Sequence, residues 1–226
     1  MNMTYLLFIV PALLLSLYAQ FKVKSTFNKY SKVRSSRGMS GAEVANTILR
    51  RNGMASTVSI EPIRGSLTDH YDPTVKALRL SEPVYGSNSI SAIGVAAHEV
   101  GHAIQHQQQY GPLTLRHKLV PVTNFASSAS FPILLVGFII NSLDLVMIGI
   151  LLFSAVVLFH VVTLPVELNA SRRAVVQLSE AGIINSSEVP MVKKVLGAAA
   201  LTYLAATLAA IANLLYYLAI FGGSDD

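Results

Sequence analysis

Residues 145–166 read LVMIGILLFSAVVLFHVVTLPV, a stretch without one Asp, Glu, Lys or Arg. A helix rises about 1.5 Å per residue, so roughly 20 apolar residues in a row cross the hydrocarbon core of a bilayer. Outward from this stretch lie three more uncharged runs: Leu119 to Leu143, Val195 to Ser224 and Thr4 to Phe21. Together they predict a mainly α integral membrane protein. Its four transmembrane helices are expected at about 4–21, 119–141, 145–166 and 196–221. The first is short and holds Pro11.

Composition agrees. Charged residues are 13% of the 226 and apolar residues 52%, against about 25% charge in a soluble domain. The absence of cysteine excludes disulfides, thiolate zinc sites, iron–sulfur clusters and cysteine nucleophiles. There is no Trp, so the 9 Tyr are left to supply any aromatic belt.

The net charge of +5 is explained by where the bases stand. All 17 Lys and Arg lie between Lys22 and Lys118 or between Arg172 and Lys194. With four spans, both stretches fall on one side, and the positive-inside rule makes that side the cytoplasm. The N-terminus, the hairpin tip Asn141 to Asp144 and the acidic tail Gly222 to Asp226 are then outside. No basic patch is interleaved with aromatics, so no nucleic-acid partner is expected. A cleaved signal peptide over the first run would need a basic start. Met1 to Thr4 has none, whereas Lys22, Lys24, Lys29, Lys32, Arg34 and Arg37 follow the run. An uncleaved anchor is the expectation.

Between the spans, residues 22–39 read as a basic, Ser-rich link near anionic headgroups. Ser40-Gly41-Ala42-Glu43 has the form of a capping box and opens a helix through Asn52, ended by Gly53. Thr57 to Ile60 and Ala77 to Leu80 read as strands, Leu67 to Tyr71 as extended, and Asp72-Pro73 as a turn. Ser89 or Ser91 caps a longer helix to about Gln109. This small α+β portion cannot bury a core alone, so residues 1–226 are expected to form a single membrane-embedded domain. Its cytoplasmic segments would be 22–118 and 167–194.

The helix beginning near Ser89 carries His98-Glu99-Val100-Gly101-His102. Residues four apart share a helix face, so both imidazoles can reach one metal ion. Glu99 can sit beside a metal-activated water as general base. The alternative is a pair of solvated surface histidines. Catalytic zinc usually takes three protein ligands. His106 is separated from His98 by about 12 Å of helical rise, too far to share the ion. The third His of a metzincin is excluded because position 108 is Gln. His106 is expected beside the site or at the surface. Glu167, just past the third run, is a candidate ligand, or else an interfacial carboxylate paired with Arg172 or Arg173. Ser171, one turn on, can hydrogen-bond a ligating histidine.

Four blocks then coincide with a known pattern: Leu67-Thr68-Asp69-His70-Tyr71-Asp72-Pro73; Leu78-Arg79-Leu80-Ser81; Ala96-Ala97-His98-Glu99-Val100-Gly101-His102-Ala103; and Leu164-Pro165-Val166-Glu167-Leu168-Asn169-Ala170-Ser171-Arg172-Arg173-Ala174. With them the chain resembles the YugP-like bacterial membrane zinc metallopeptidases over most of its length. The resemblance implies one Zn2+ held by His98, His102 and Glu167, with Glu99 catalytic. It also implies a zincin-like fold around the motif helix and a multi-pass location in the bacterial inner or plasma membrane. The pattern is distantly similar to membrane gluzincins, where an Asp usually follows the ligand Glu by four residues. Here that position is Ser171.

The expected activity is that of a zinc metalloendopeptidase acting at the cytoplasmic membrane face on a peptide or membrane-protein substrate. His70 and Tyr71 are candidate donors to the developing oxyanion; a turn hydrogen-bonded to Asp69 or Asp72 is the alternative for them. The 67–71 segment offers an edge for an extended peptide. His160, inside the third run, either lines a polar cavity or bonds a neighbouring span. A non-catalytic scaffold with a structural metal would need a fourth ligand, from His106, His70 or a nearby carboxylate. A metal or proton transporter would need more polar residues at mid-membrane than these runs hold. Ala198, Thr202, Ala206 and Ala210 recur every four residues, a small-residue face for packing in the bundle or in a homo-oligomer.

Overall fold

The computed structural model describes residues 3–222, and side chains from residue 6 onward. The tail beyond Gly222, expected outside the membrane, lies outside the described residues. Seven helices and three strands are described: α1 (Met3–Tyr30), α2 (Gly41–Arg51), β1 (Ser59–Ile63), β2 (His70–Asp72), β3 (Ala77–Ser81), α3 (Glu82–Tyr85), α4 (Ile90–Gln107), α5 (Gly111–Ile139), α6 (Leu143–Glu180) and α7 (Val189–Gly222). Helices α1, α5, α6 and α7 are long and apolar enough to cross a membrane. Their outward faces carry Leu14, Phe21, Phe125, Phe131, Ile139 and Leu151, each at least 60% exposed. Water would not tolerate so much apolar surface; lipid does.

The long helices outrun the apolar stretches that predict them. Residues 22–30, read as link, continue α1 to Tyr30. Helix α6 runs unbroken from Leu143 to Glu180 with Pro165 inside it. Glu167 is therefore an interior residue of one continuous helix, not the first residue past its end.

Contacts divide the chain into two compact units: residues 1–20, 111–165 and 202–226 in one, residues 21–110 and 166–201 in the other. The first unit packs Leu134 of α5 against Val146 and Ile150 of α6, with Leu214, Tyr217 and Phe221 of α7 beside them. Here Thr207 donates to the backbone carbonyl of His160 at 3.3 Å.

The second unit holds the larger core. The Ser40 capping box forms as read: Ser40 Oγ accepts from Glu43 N, and the Glu43 carboxylate accepts from Ser40 N at 2.8 Å. The sheet order is β1-β3-β2, with β1 parallel and β2 antiparallel to β3. Strand β1 starts two residues later than expected and includes Pro62, which an edge strand can hold because one side of it needs no ladder donor. The 67–71 extended piece becomes a strand only from His70, on the other edge. Central β3 is buried through Ala77, Leu78 and Leu80. Ser89 is the cap of α4, accepting from Ala92 N. Nearly every side chain of α4 from Ile90 to Ile104 is buried, so it is the central post of this unit rather than an amphipathic surface helix.

Candidate metal centre

Helix α4 brings His98 and His102 onto one face, their rings edge to face with centroids 4.8 Å apart. Helix α6 supplies Glu167, only 2% exposed. Its Oε2 stands 3.3 Å from His98 Nε2 and 3.4 Å from His102 Nε2. One donor atom from each of the three residues falls within a 4.8 Å circle of the others. Among the described residues no other group of three or more His, Cys, Asp or Glu comes together in this way.

The approach of the two helices depends on Gly101. A Cβ there would lie 2.8 Å from the Ala170 carbonyl oxygen and 3.2 Å from Ala170 Cα. No side chain fits that gap, so the glycine inside the motif lets α6 come within ligand distance.

Each imidazole is oriented from its far side. Ser171 Oγ meets His98 Nδ1 at 3.2 Å, the contact expected from its position one turn past Glu167. Gln105 Oε1 accepts from His102 Nδ1 at 3.0 Å. The other end of the same amide donates to the Val166 carbonyl and to Asn169 Oδ1, both at 2.9 Å. Gln105 is fully buried and so ties the ring on α4 to the α6 turn that carries Glu167. Arg173 Nε completes the chain by donating to Asn169 Oδ1 at 2.7 Å. With Nδ1 donating, His102 keeps its Nε2 lone pair facing Glu167.

Glu99 is 7% exposed. Burial, chiefly, together with the Glu167 and Asp69 carboxylates, raises its pKa above the ordinary value, although both histidines pull the other way. Burial lowers the pKa of His102, but Glu167, Glu99 and Gln105 more than offset it, so that ring too is shifted upward. Asp69 accepts from Ser81 N at 2.7 Å and Ser81 Oγ at 2.9 Å, tying the approach to β2 onto β3. Burial nonetheless raises its pKa. Asp69, Glu99 and Glu167 thus concentrate negative charge around two neutral-capable imidazoles, an electrostatic setting that favours a bound cation.

The remaining sequence candidates stand elsewhere. His70 holds the Thr68 carbonyl through Nδ1 at 2.8 Å, whereas Asp69 and Asp72, the turn partners expected for it, bond Ser81 and Thr74. Tyr71 and His106 pair with each other, hydroxyl to Nδ1 at 2.9 Å. Neither His70 nor His106 joins the three-ligand group. Gln105, Asn169, Asp69 and Gly101 were not foreseen as site residues. Gln105 had a readable signal, since it follows His102 by three positions on the same helix face.

Comparison with known proteins agrees with this geometry. Residues 5–222 match the family described as "Putative neutral zinc metallopeptidase". The chain belongs to this family. It is also similar to the Bacillus subtilis (strain 168) protein named "Putative membrane protease YugP", with 54% identity over 225 residues, covering 99% of this chain and 100% of that one. No solved structure matches it. The donor set fits the zinc that the family name carries. Two imidazole nitrogens and one carboxylate oxygen match in number and type the protein ligands usual at catalytic zinc sites.

Proposed function

We propose that this protein is a membrane-embedded zinc endopeptidase that hydrolyses peptide bonds at the cytoplasmic face of the membrane. The observation that carries the reading is the convergence of His98, His102 and Glu167 with Glu99 buried beside them. His98 and His102 would hold the ion through Nε2 and Glu167 through its carboxylate. Bound there, zinc supplies Lewis acidity toward water and the scissile carbonyl. Glu99 accepts the proton of the attacking water and returns it to the leaving amine. Gln105 and Ser171 keep both rings in the ligating tautomer.

The cytoplasmic assignment is supported by the placement of all 17 Lys and Arg in two stretches, one containing His98 and His102 and the other beginning five residues after Glu167. A peptide or membrane-protein substrate is part of this reading, supported by a site carried partly on a helix long enough to cross the membrane. His70 and Tyr71 remain the candidate oxyanion donors, with His70 Nδ1 on the Thr68 carbonyl and the Tyr71 hydroxyl on His106 Nδ1.

The test is zinc analysis and peptide hydrolysis by the detergent-purified full chain beside Glu99→Gln. The variant keeps zinc, because all three ligands remain, and loses hydrolysis by 100-fold or more, on the order of a lost general base. Cleavage at the wild-type rate by Glu99→Gln refutes the mechanism.

A further inference from the structure

A second feature, sharing no residue with the metal group, lies between the C-terminal part of α1 and the start of α7. A cleft of about 450 Å³ is lined by Lys22, Thr26, Lys29 and Tyr30 from α1 and by Lys194, Gly197, Ala198 and Leu201 from α7. Three cations line it and no carboxylate does. We propose that this cleft binds the phosphate headgroup of an anionic phospholipid.

The position selects a lipid. The apolar run of α1 ends at Phe21, immediately before Lys22, and that of α7 begins at Val195, immediately after Lys194. The cleft therefore opens where both helices pass from hydrocarbon to headgroup level. Lys22 and Lys29 are separated by about 10 Å along α1, the scale of a glycerophosphate headgroup. Ala198 and Leu201, one and two turns further into the apolar run, offer surface to the start of an acyl chain.

The donors are available. All three lysines are exposed and none is in an ion pair among the described residues. Lys29 lies 5.6 Å from the centre of the Tyr30 ring, which holds its ammonium beside the cleft. Thr26 and Tyr30, 9% and 7% exposed, put a hydroxyl-bearing side chain each at the cleft wall. At Gly197 a Cβ would meet nothing within 4 Å, so the floor there is open space. Basic pockets between helices at the membrane face are suited to anionic headgroups, each cation being worth about fivefold in affinity and three about 100-fold.

The test is native mass spectrometry of the full chain in detergent, titrated with short-chain phosphatidylglycerol, short-chain phosphatidylcholine and inorganic phosphate. The wild type should prefer phosphatidylglycerol to phosphatidylcholine by on the order of 100-fold. The triple variant Lys22→Gln/Lys29→Gln/Lys194→Gln should lose that preference, while Lys24→Gln/Lys32→Gln/Lys76→Gln, with the same loss of charge, should keep it. Gly197→Leu fills the cleft without altering charge and should also lose it, which keeps the test decisive should the triple variant not fold. Equal retention of both lipids by the wild type overturns the proposal. So does undiminished phosphatidylglycerol binding by Gly197→Leu. Inorganic phosphate binding as tightly as phosphatidylglycerol overturns the lipid assignment in favour of a free-anion site.

Discussion

Gly101→Ala adds one methyl group inside the zinc motif and touches no ligand. Its Cβ would stand 2.8 Å from the Ala170 oxygen, where ordinary contact begins at 3.4 Å. Helices α4 and α6 must therefore part locally by about 0.6 Å, and the obstacle is backbone that no rotamer change can move. Overpacking of this kind costs about 1–3 kcal/mol, offset by up to about 1 kcal/mol of helix propensity. The functional loss is the larger one. Ala170 lies between Glu167 and Ser171, so the same displacement draws the carboxylate from both Nε2 atoms and the hydroxyl from His98. Ligand distances in a zinc site hold within about 0.2 Å, so zinc affinity should fall by on the order of tenfold or more. The comparison is Gly94→Ala on the same helix. There the Cβ meets only Val192 Cγ1, at an ordinary 3.5 Å, and the substitution should be neutral or stabilising. Chelator competition for zinc and thermal melting in detergent read both effects. If Gly101→Ala binds zinc as tightly as Gly94→Ala and melts no lower, the close approach at Ala170 does not set the site.

Two further outcomes are expected. Gln105→Leu leaves His102 Nδ1 without its acceptor and should weaken zinc binding by about 10–100-fold with little change in helix content, measured by chelator competition and circular dichroism. Glu188 accepts from Ser36 N, Ser36 Oγ and Asn185 N at 2.7–2.9 Å. Burial alone would raise its pKa, but these bonds bring it below the ordinary 4.5. Its stabilisation is thus present above 4.5 and is lost as pH falls through the lowered value. Glu188→Gln should melt lower than wild type at neutral pH, by the equivalent of about 1–3 kcal/mol, with the difference closing only in acid below 4.5. A pH-independent difference would show that the carboxylate charge is not the cause.

Much of this was legible because it is local. Long uncharged runs in a bilayer can satisfy their backbone only as helices, and over the described residues all four runs are helical. The Ser40 box and the Ser89 cap are written within four residues of the groups they serve. His98 and His102 share a face by period alone. The helix ends were less legible, since a membrane-spanning helix has no reason to stop where charge begins: α1 continues through Lys22–Lys29, and α6 passes Pro165 without ending. The short α3, with Pro83 in its first turn, was not anticipated. What joins distant segments was least legible. Gly101 looks like a helix-weakening residue until Ala170 is seen against it, and Gln105 looks like any polar residue until both ends of its amide are engaged.

The central claim is that two helices far apart in sequence hold one zinc ion through His98, His102 and Glu167. The most direct measurement is equilibrium chelator competition for zinc by the purified full chain, comparing wild type, Glu167→Ala and Glu180→Ala. Glu180 closes α6, exposed and outside the three-ligand group, so its variant should bind as wild type does. Glu167→Ala should bind at least tenfold more weakly, having lost one of three protein ligands. Wild-type affinity in Glu167→Ala would contradict the claim and place the third ligand elsewhere.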